Sequence, residues 1–155
     1  MKVKLLVTLL HLCLFSVYTF EVEAQTRRGR TPRTSSAAIT TPSGLTYLIT
    51  KKGTGRQLKA GDTVVLNYTG TLTNGTKFDS SYDRNEPLAF KLGAGKVIKG
   101  YDEGLAKLRI GDHAILVIPG KLAYGPTGVP NVIPPDATLI FVIQVVDVKA
   151  TSSAP

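Results

Sequence analysis

The 155-residue chain has few side chains able to make or break a covalent bond. Of its two histidines, His11 lies in an apolar opening stretch and His113 begins the run His113-Ala114-Ile115-Leu116. No carboxylate or serine stands at a suggestive offset from His113, although a triad is set by geometry and not by chain order. A lone histidine in that setting reads as a strand-end packing or surface residue. Cys13, the single cysteine, also falls in the opening stretch. The rest of the chain therefore has no disulfide, no thiolate metal site and no cysteine nucleophile. Gly93-Ala94-Gly95-Lys96 superficially suggests a phosphate loop. It lacks the four-residue spacer before Gly-Lys, Val97 replaces the required hydroxyl, and Ile98 stands where a dinucleotide motif needs its third glycine. What remains is a set of aromatic residues spread along the chain: Tyr68, Phe78, Phe90, Tyr101, Tyr124 and Phe141. By composition alone they read as core.

The elements that carry these residues are mostly strands. Leu45 to Lys51, Thr63 to Thr73, Thr76 to Ser80, Leu88 to Leu92, His113 to Ile118 and Ala137 to Lys149 are β-rich runs. In the second, Val64, Leu66 and Tyr68 alternate with Val65, Asn67, Thr69 and Thr71, and Asn74-Gly75 supplies a tight hairpin with positive φ angles. In the last, Leu139, Phe141, Ile143 and Val145 share a face. Ile98, Tyr101, Leu105 and Leu108 mark one helix. Gly100 and Gly104 weaken it by about 1 kcal/mol each relative to alanine, so it must be short and depend on packing. Tyr124 to Pro135 reads as a stiff loop without regular structure. With almost no crossover helices, the sheet must be antiparallel. The fold class is α+β: a twisted antiparallel sheet of five or six strands half-wrapped around one short helix.

The ends read differently. Lys2 and Lys4 precede an apolar run from Leu5 to Phe20, and Val22-Glu23-Ala24 follows. This predicts a signal peptide over 1–24, cut after Ala24. The run is shorter than the roughly 20 residues of a membrane span, and Cys13 lacks the small residues of a lipoprotein site. Residues 25–44 carry Arg27, Arg28, Arg30 and Arg33 and no acid, which is half of the net charge of +8. Poor in apolar residues, this stretch reads as a basic flexible linker, with order beginning near Leu45. Binding to an anionic surface is the alternative for the arginines; no aromatic interleaves them to stack on bases, so nucleic acid is not expected. A domain over 45–150 and a disordered tail over 151–155 complete the chain. Asn67-Tyr68-Thr69 and Asn74-Gly75-Thr76 both fit the glycosylation pattern, with Asn74 the better acceptor in an ER lumen.

Five colinear blocks carry a family resemblance. They are Val65-Leu66-Asn67-Tyr68-Thr69-Gly70, Lys77-Phe78-Asp79-Ser80-Ser81, the decapeptide from Gly95 to Gly104, Leu122-Ala123-Tyr124-Gly125, and the run from Val132 to Phe141. In order and spacing, from about Leu45 to Val148, they resemble the FKBP-type peptidyl-prolyl cis-trans isomerases. The resemblance implies a pocket walled by Tyr68, Phe78, Val97, Ile98, Ile133 and Phe141, with Tyr101 at its floor. It implies Asp79 and the Tyr124 hydroxyl at the rim, and the Ile98 N–H as a further donor. Phe78, Asp79 and Tyr124 are the implied catalytic residues. Asp79 has a second reading, as a turn residue bonded to Arg84. Three positions depart from the family pattern: Tyr101 replaces tryptophan, Leu88 an aromatic residue, and Val129 a histidine found in some members.

The resemblance implies an enzyme that speeds rotation about X–Pro bonds in exported proteins, without covalent chemistry, cofactor or metal. Its partners would be proline-containing polypeptides and macrolide inhibitors. A monomer is expected, with no stable membrane insertion after signal cleavage, in the periplasm or secreted (the ER lumen in a eukaryote). The competing readings are a proline-peptide-binding chaperone or adaptor with little turnover, and an anchor acting through the arginine linker.

Overall fold

The computed structural model describes residues 37–149. The expected signal peptide, the linker up to residue 36, the last residue of the expected domain (150) and the expected tail over 151–155 lie outside the described residues. The strands are β1 (Ile39–Thr40), β2 (Thr46–Lys51), β3 (Thr63–Leu72), β4 (Lys77–Ser80), β5 (Leu88–Lys91), β6 (His113–Ile118) and β7 (Leu139–Lys149), with one helix, α1 (Lys99–Leu105). They form one seven-stranded sheet in the order β1-β2-β6-β7-β3-β4, with β5 also pairing with β3. Every pairing is antiparallel. The expected fold class holds, with one strand more than the sequence predicts.

The period-2 pattern decides which face is dry. Val64, Leu66 and Tyr68 of β3, Ala114, Leu116 and Ile118 of β6, and Leu139, Phe141, Ile143 and Val145 of β7 are all buried. Against this face lies α1, which buries Gly100, Tyr101, Gly104 and Leu105. A Cβ on Gly100 would come within 2.3 Å of Ile118 Cγ2, and one on Gly104 within 2.7 Å of Leu116 Cδ1. The two glycines thus trade helix propensity for close approach to β6, and that approach sets the depth of Tyr101. Leu108 lies beyond the helix, in a turn where its N–H donates to the Leu105 carbonyl at 2.9 Å. It is nonetheless fully buried.

Three expectations need correcting. Order does not wait for Leu45. Ile39 pairs with Tyr47 and Thr40 with Thr46, and the Ser43 hydroxyl donates to Glu103 of α1 at 2.8–2.9 Å. The first two are a local hairpin pairing and the third reaches a residue 60 positions away, and the polar composition of 37–44 reveals neither. In the hairpin after β3 only Gly75 takes positive φ, at 86°. The Asn74 side chain instead accepts from the Thr76 N–H at 3.0 Å, an Asx turn. The Tyr124–Pro135 stretch contains a 3-10 turn at Gly125–Thr127 and a bridge between Val129 and Ile133. No helix among the described residues is long and apolar enough to cross a membrane.

Candidate active site

The inward face of β3 starts the site. Tyr68 points into the core, and two residues on, Gly70 leaves a gap. A Cβ there would lie 2.6 Å from Phe78 Cζ and 2.9 Å from Phe141 Cε1. The glycine lets the two phenyl rings meet across the strand, edge to face, with centroids 5.6 Å apart.

The pairing of β3 with β4 explains how neighbouring residues face one way. Gly70 pairs with Asp79 and Thr71 with Lys77, so Phe78 is the extra residue of a β-bulge. In a regular strand Phe78 and Asp79 would point to opposite faces. The bulge re-aims them so that Phe78 meets Phe141 while Asp79 reaches Tyr68. Ser81, fully buried, closes the end of β4: its N–H donates to the Tyr68 carbonyl at 3.0 Å, and its Oγ accepts from the Tyr68 N–H at 2.9 Å.

Tyr101 rises from α1 beneath these rings, its centroid 4.7 Å from Phe141 and 6.3 Å from Tyr68, both near perpendicular. Phe90 of β5 flanks it at 6.4 Å. Such contacts are worth about 0.5–1.5 kcal/mol per pair beyond burial. Val97 and Ile98, just before α1, are half-buried against the same core, and Ile133 is buried within it. The Ile98 N–H makes no hydrogen bond among the described residues. A cavity of about 440 Å³ opens between Leu72 and the Thr127–Pro135 loop, sharing only Ile133 with the expected pocket lining.

The polar edge is a three-membered network. The Tyr68 hydroxyl donates to Asp79 Oδ2, Arg84 Nη1 donates to Asp79 Oδ1, and Arg84 Nη2 donates to the Tyr68 hydroxyl oxygen at 3.0 Å. Desolvation alone would raise the Asp79 pKa, but the hydrogen bonds from Tyr68 and Arg84 outweigh it and hold the carboxyl below its ordinary range. Tyr68 is pushed up, by burial first and then by its bond to Asp79. Arg84 is raised by the same carboxylate. The expected bond between Asp79 and Arg84 is present, but Asp79 lies within strand β4 and not in a turn, and it holds Tyr68 as well. Tyr124 stands apart from the network at the start of its 3-10 turn and is 43% exposed.

A family profile described as FKBP-type peptidyl-prolyl cis-trans isomerase matches residues 54–146. The chain belongs to that family. FK506-binding protein 1 of Candida glabrata is 56% identical over 91 residues, which are 59% of this chain and 80% of that one. The isomerase FkpA of Escherichia coli K12 is 48% identical over 115 residues, 74% of this chain and 42% of its own. The crystal structure of FkpA superposes with a TM-score of 0.68 over 72% of this chain and 51% of that chain, at 48% identity. AtFKBP13 superposes at 0.70 over 73% of this chain and 99% of its own, at 36% identity. This FKBP-type chain thus spans about half the length of the FkpA crystal chain it matches.

Within this FKBP-type domain, Tyr68, Phe78, Tyr101 and Phe141 share ring contacts, and Val97, Ile98 and Ile133 pack on the same core. Leu88 and Val129, the other departures from the family pattern, are half-buried against that core. Sequence reasoning named Arg84 only as a neighbour of Asp79, and it bonds Tyr68 as well. It passed over Gly70, although an isolated glycine inside a strand pattern is a known mark of close approach.

Proposed function

We propose that the aromatic cluster of β3, β4, α1 and β7 is a cleft that takes the prolyl ring of a polypeptide and speeds rotation about the preceding bond. The unaided barrier is ~18–20 kcal/mol because resonance must be broken. In the half-rotated state the imide loses conjugation and part of its charge separation. Water solvates the planar form better, so a dry cleft lined by Phe78, Ile98, Tyr101, Ile133 and Phe141 favours the twisted form by comparison. That difference is the catalysis. In this reading the Tyr124 hydroxyl and the free Ile98 N–H hold carbonyl oxygens of the peptide, and Asp79 keeps Tyr68 and Arg84 in register at the rim. The observation that carries the proposal is the bulge at Phe78, which turns an apolar and an acidic side chain toward the same rings.

The opening Lys2/Lys4 and apolar run support export, with folding proteins in the periplasm or outside the cell as clients. FK506-like macrolides should occupy the same cleft, held more loosely than by members with a tryptophan floor, since Tyr101 covers less area. A protease-coupled assay on an X–Pro peptide tests the proposal. The purified chain should accelerate the slow phase in proportion to its concentration. Peptide binding with a rate equal to buffer would favour the chaperone or adaptor reading instead.

A further inference from the structure

An antiparallel sheet covered on one side alternates, apolar inward and polar outward. Strand β3 obeys this, with Asn67, Thr69 and Thr71 between its buried residues. Strands β6 and β7 do not: Ala114 to Ile118 and Leu139 to Ile143 are unbroken apolar runs. Their outward residues are Ile115, Val117, Ile140 and Val142, and none of these belongs to the core or packs on it. The register joins them across the sheet. Leu48, Ile115, Val142 and Thr69 are successive neighbours in one row, and Thr46, Val117, Ile140 and Thr71 in the next. No charged side chain stands in either row. Val142 is 55% exposed, the most of any large apolar side chain among the described residues. A third row of His113, Gln144 and Asn67, with Lys51 at its end, gives the face a polar rim. Tyr82, itself 53% exposed, reaches over β3 to donate to Gln144 at 3.4 Å. The helix α1 and the aromatic cluster lie on the opposite side of the sheet, so neither covers this face.

We infer that this outward face is where a second copy of the chain docks, sheet on sheet, as a reversible two-fold dimer. The inference is independent of the proposed reaction. The chemistry of the face selects a copy over other partners. An anionic surface, which a net charge of +8 favours, would find no cation in the two central rows. A single helix, about 10 Å wide, would cover only two of the four strands. Another flat sheet covers all four at about 10 Å, the spacing of sandwich cores. The identical face supplies that sheet, and because its centre is uncharged, doubling it there buries no unpaired ion and opposes no like charges. Four strands at about 4.8 Å and three rows at about 6.8 Å make roughly 400 Å² of plane. With side-chain relief, two copies bury about 1,000 Å², the floor for a specific interface, so Kd falls at roughly 1–100 µM. Both clefts stay open, on the far sides of the pair. The monomer implied by the family resemblance then describes only the dilute chain.

The test is sedimentation of the purified chain from about 1 to 500 µM, beside dilution of the isotope-labelled chain followed by NMR. The mean mass should climb toward two copies, and dilution should shift Leu48, Ile115, Val117, Ile140 and Val142. Val142→Lys sets a charge at the centre of the face and should raise Kd at least about tenfold, with kcat/KM on an X–Pro peptide unchanged. Its exposed position lets the fold survive, which a thermal melt checks, and the wild-type dilution shifts stand without it. A mass of one copy up to 500 µM overturns the inference. So does association that Val142→Lys leaves unchanged, as pairing through the apolar run from Leu5 to Phe20 would be. A mass that rises with those shifts supports the dimer even where the peptide assay fails, a failure that counts only against the proposed reaction.

Discussion

Phe78→Ala should lower kcat/KM for an X–Pro peptide by roughly 10- to 50-fold and leave the domain folded. Phe78 is half-buried, packing its edge on Phe141 while its outer side remains open to the rim. Losing that contact with an inserted ring removes about 1.5–2.3 kcal/mol of apolar burial, at 1.4 kcal/mol per tenfold. The loss should fall on kcat as well as KM, because the dry wall acts on the twisted state more than on the planar one. The fold does not depend on it: the fully buried side chains are others, among them Leu66, Leu116, Leu139 and Ile143. The coupled assay beside a thermal melt decides. A kcat/KM within threefold of wild type, in a folded variant, would make Phe78 an incidental surface ring.

Asp79→Leu is expected to cost about tenfold or more in kcat/KM. Both carboxylate oxygens are engaged, one by Tyr68 and one by Arg84, so the change takes the acceptor from the Tyr68 hydroxyl and leaves the half-exposed Arg84 to water and to Tyr68. Hydrogen bonds to charged groups are worth about 1.5–3 kcal/mol when buried. The Asp79 side chain is 39% exposed, so solvent screening brings the figure to the low end of that range. Asp79 here positions others, and its pH signature separates this role from simple structural support. The folded carboxyl titrates below its ordinary range. A depressed carboxylate pKa contributes above the unfolded value of about 3.9 and loses its effect as pH falls through the folded value. The wild-type rate should therefore stay flat from pH 8 down to about pH 5 and decline only below about pH 4. Asp79→Asn should lower the plateau and remove that acid limb. An unchanged limb in Asp79→Asn would assign it to another group.

Much of this was legible from residues. The alternation of Val64, Leu66 and Tyr68, and of Leu139, Phe141, Ile143 and Val145, predicted the dry face because a strand buried on one side must alternate. The helix was legible at Tyr101 and Leu105, yet it stops before Leu108, which reaches the core from a turn. Strand β1 was not legible: Ile39 is a single apolar residue, ordered by its pairing with Tyr47 and by Ser43 on Glu103. The site was legible as a list of residues, through the family resemblance, but not as an arrangement. A four-residue strand is too short for its periodicity to betray the bulge that turns Phe78 and Asp79 to one side. The ring contacts of Tyr101 depend on neighbours from three other elements, which no local pattern encodes.

The most direct test places rotation and binding in one experiment. An X–Pro peptide is added to the isotope-labelled chain, and cis–trans exchange cross-peaks and protein shift changes are recorded together. Faster exchange should accompany shifts concentrated at Tyr68, Phe78, Ile98, Tyr101, Tyr124 and Phe141. Faster exchange with those residues silent and shifts clustered elsewhere would contradict the aromatic cluster as the place where the bond turns.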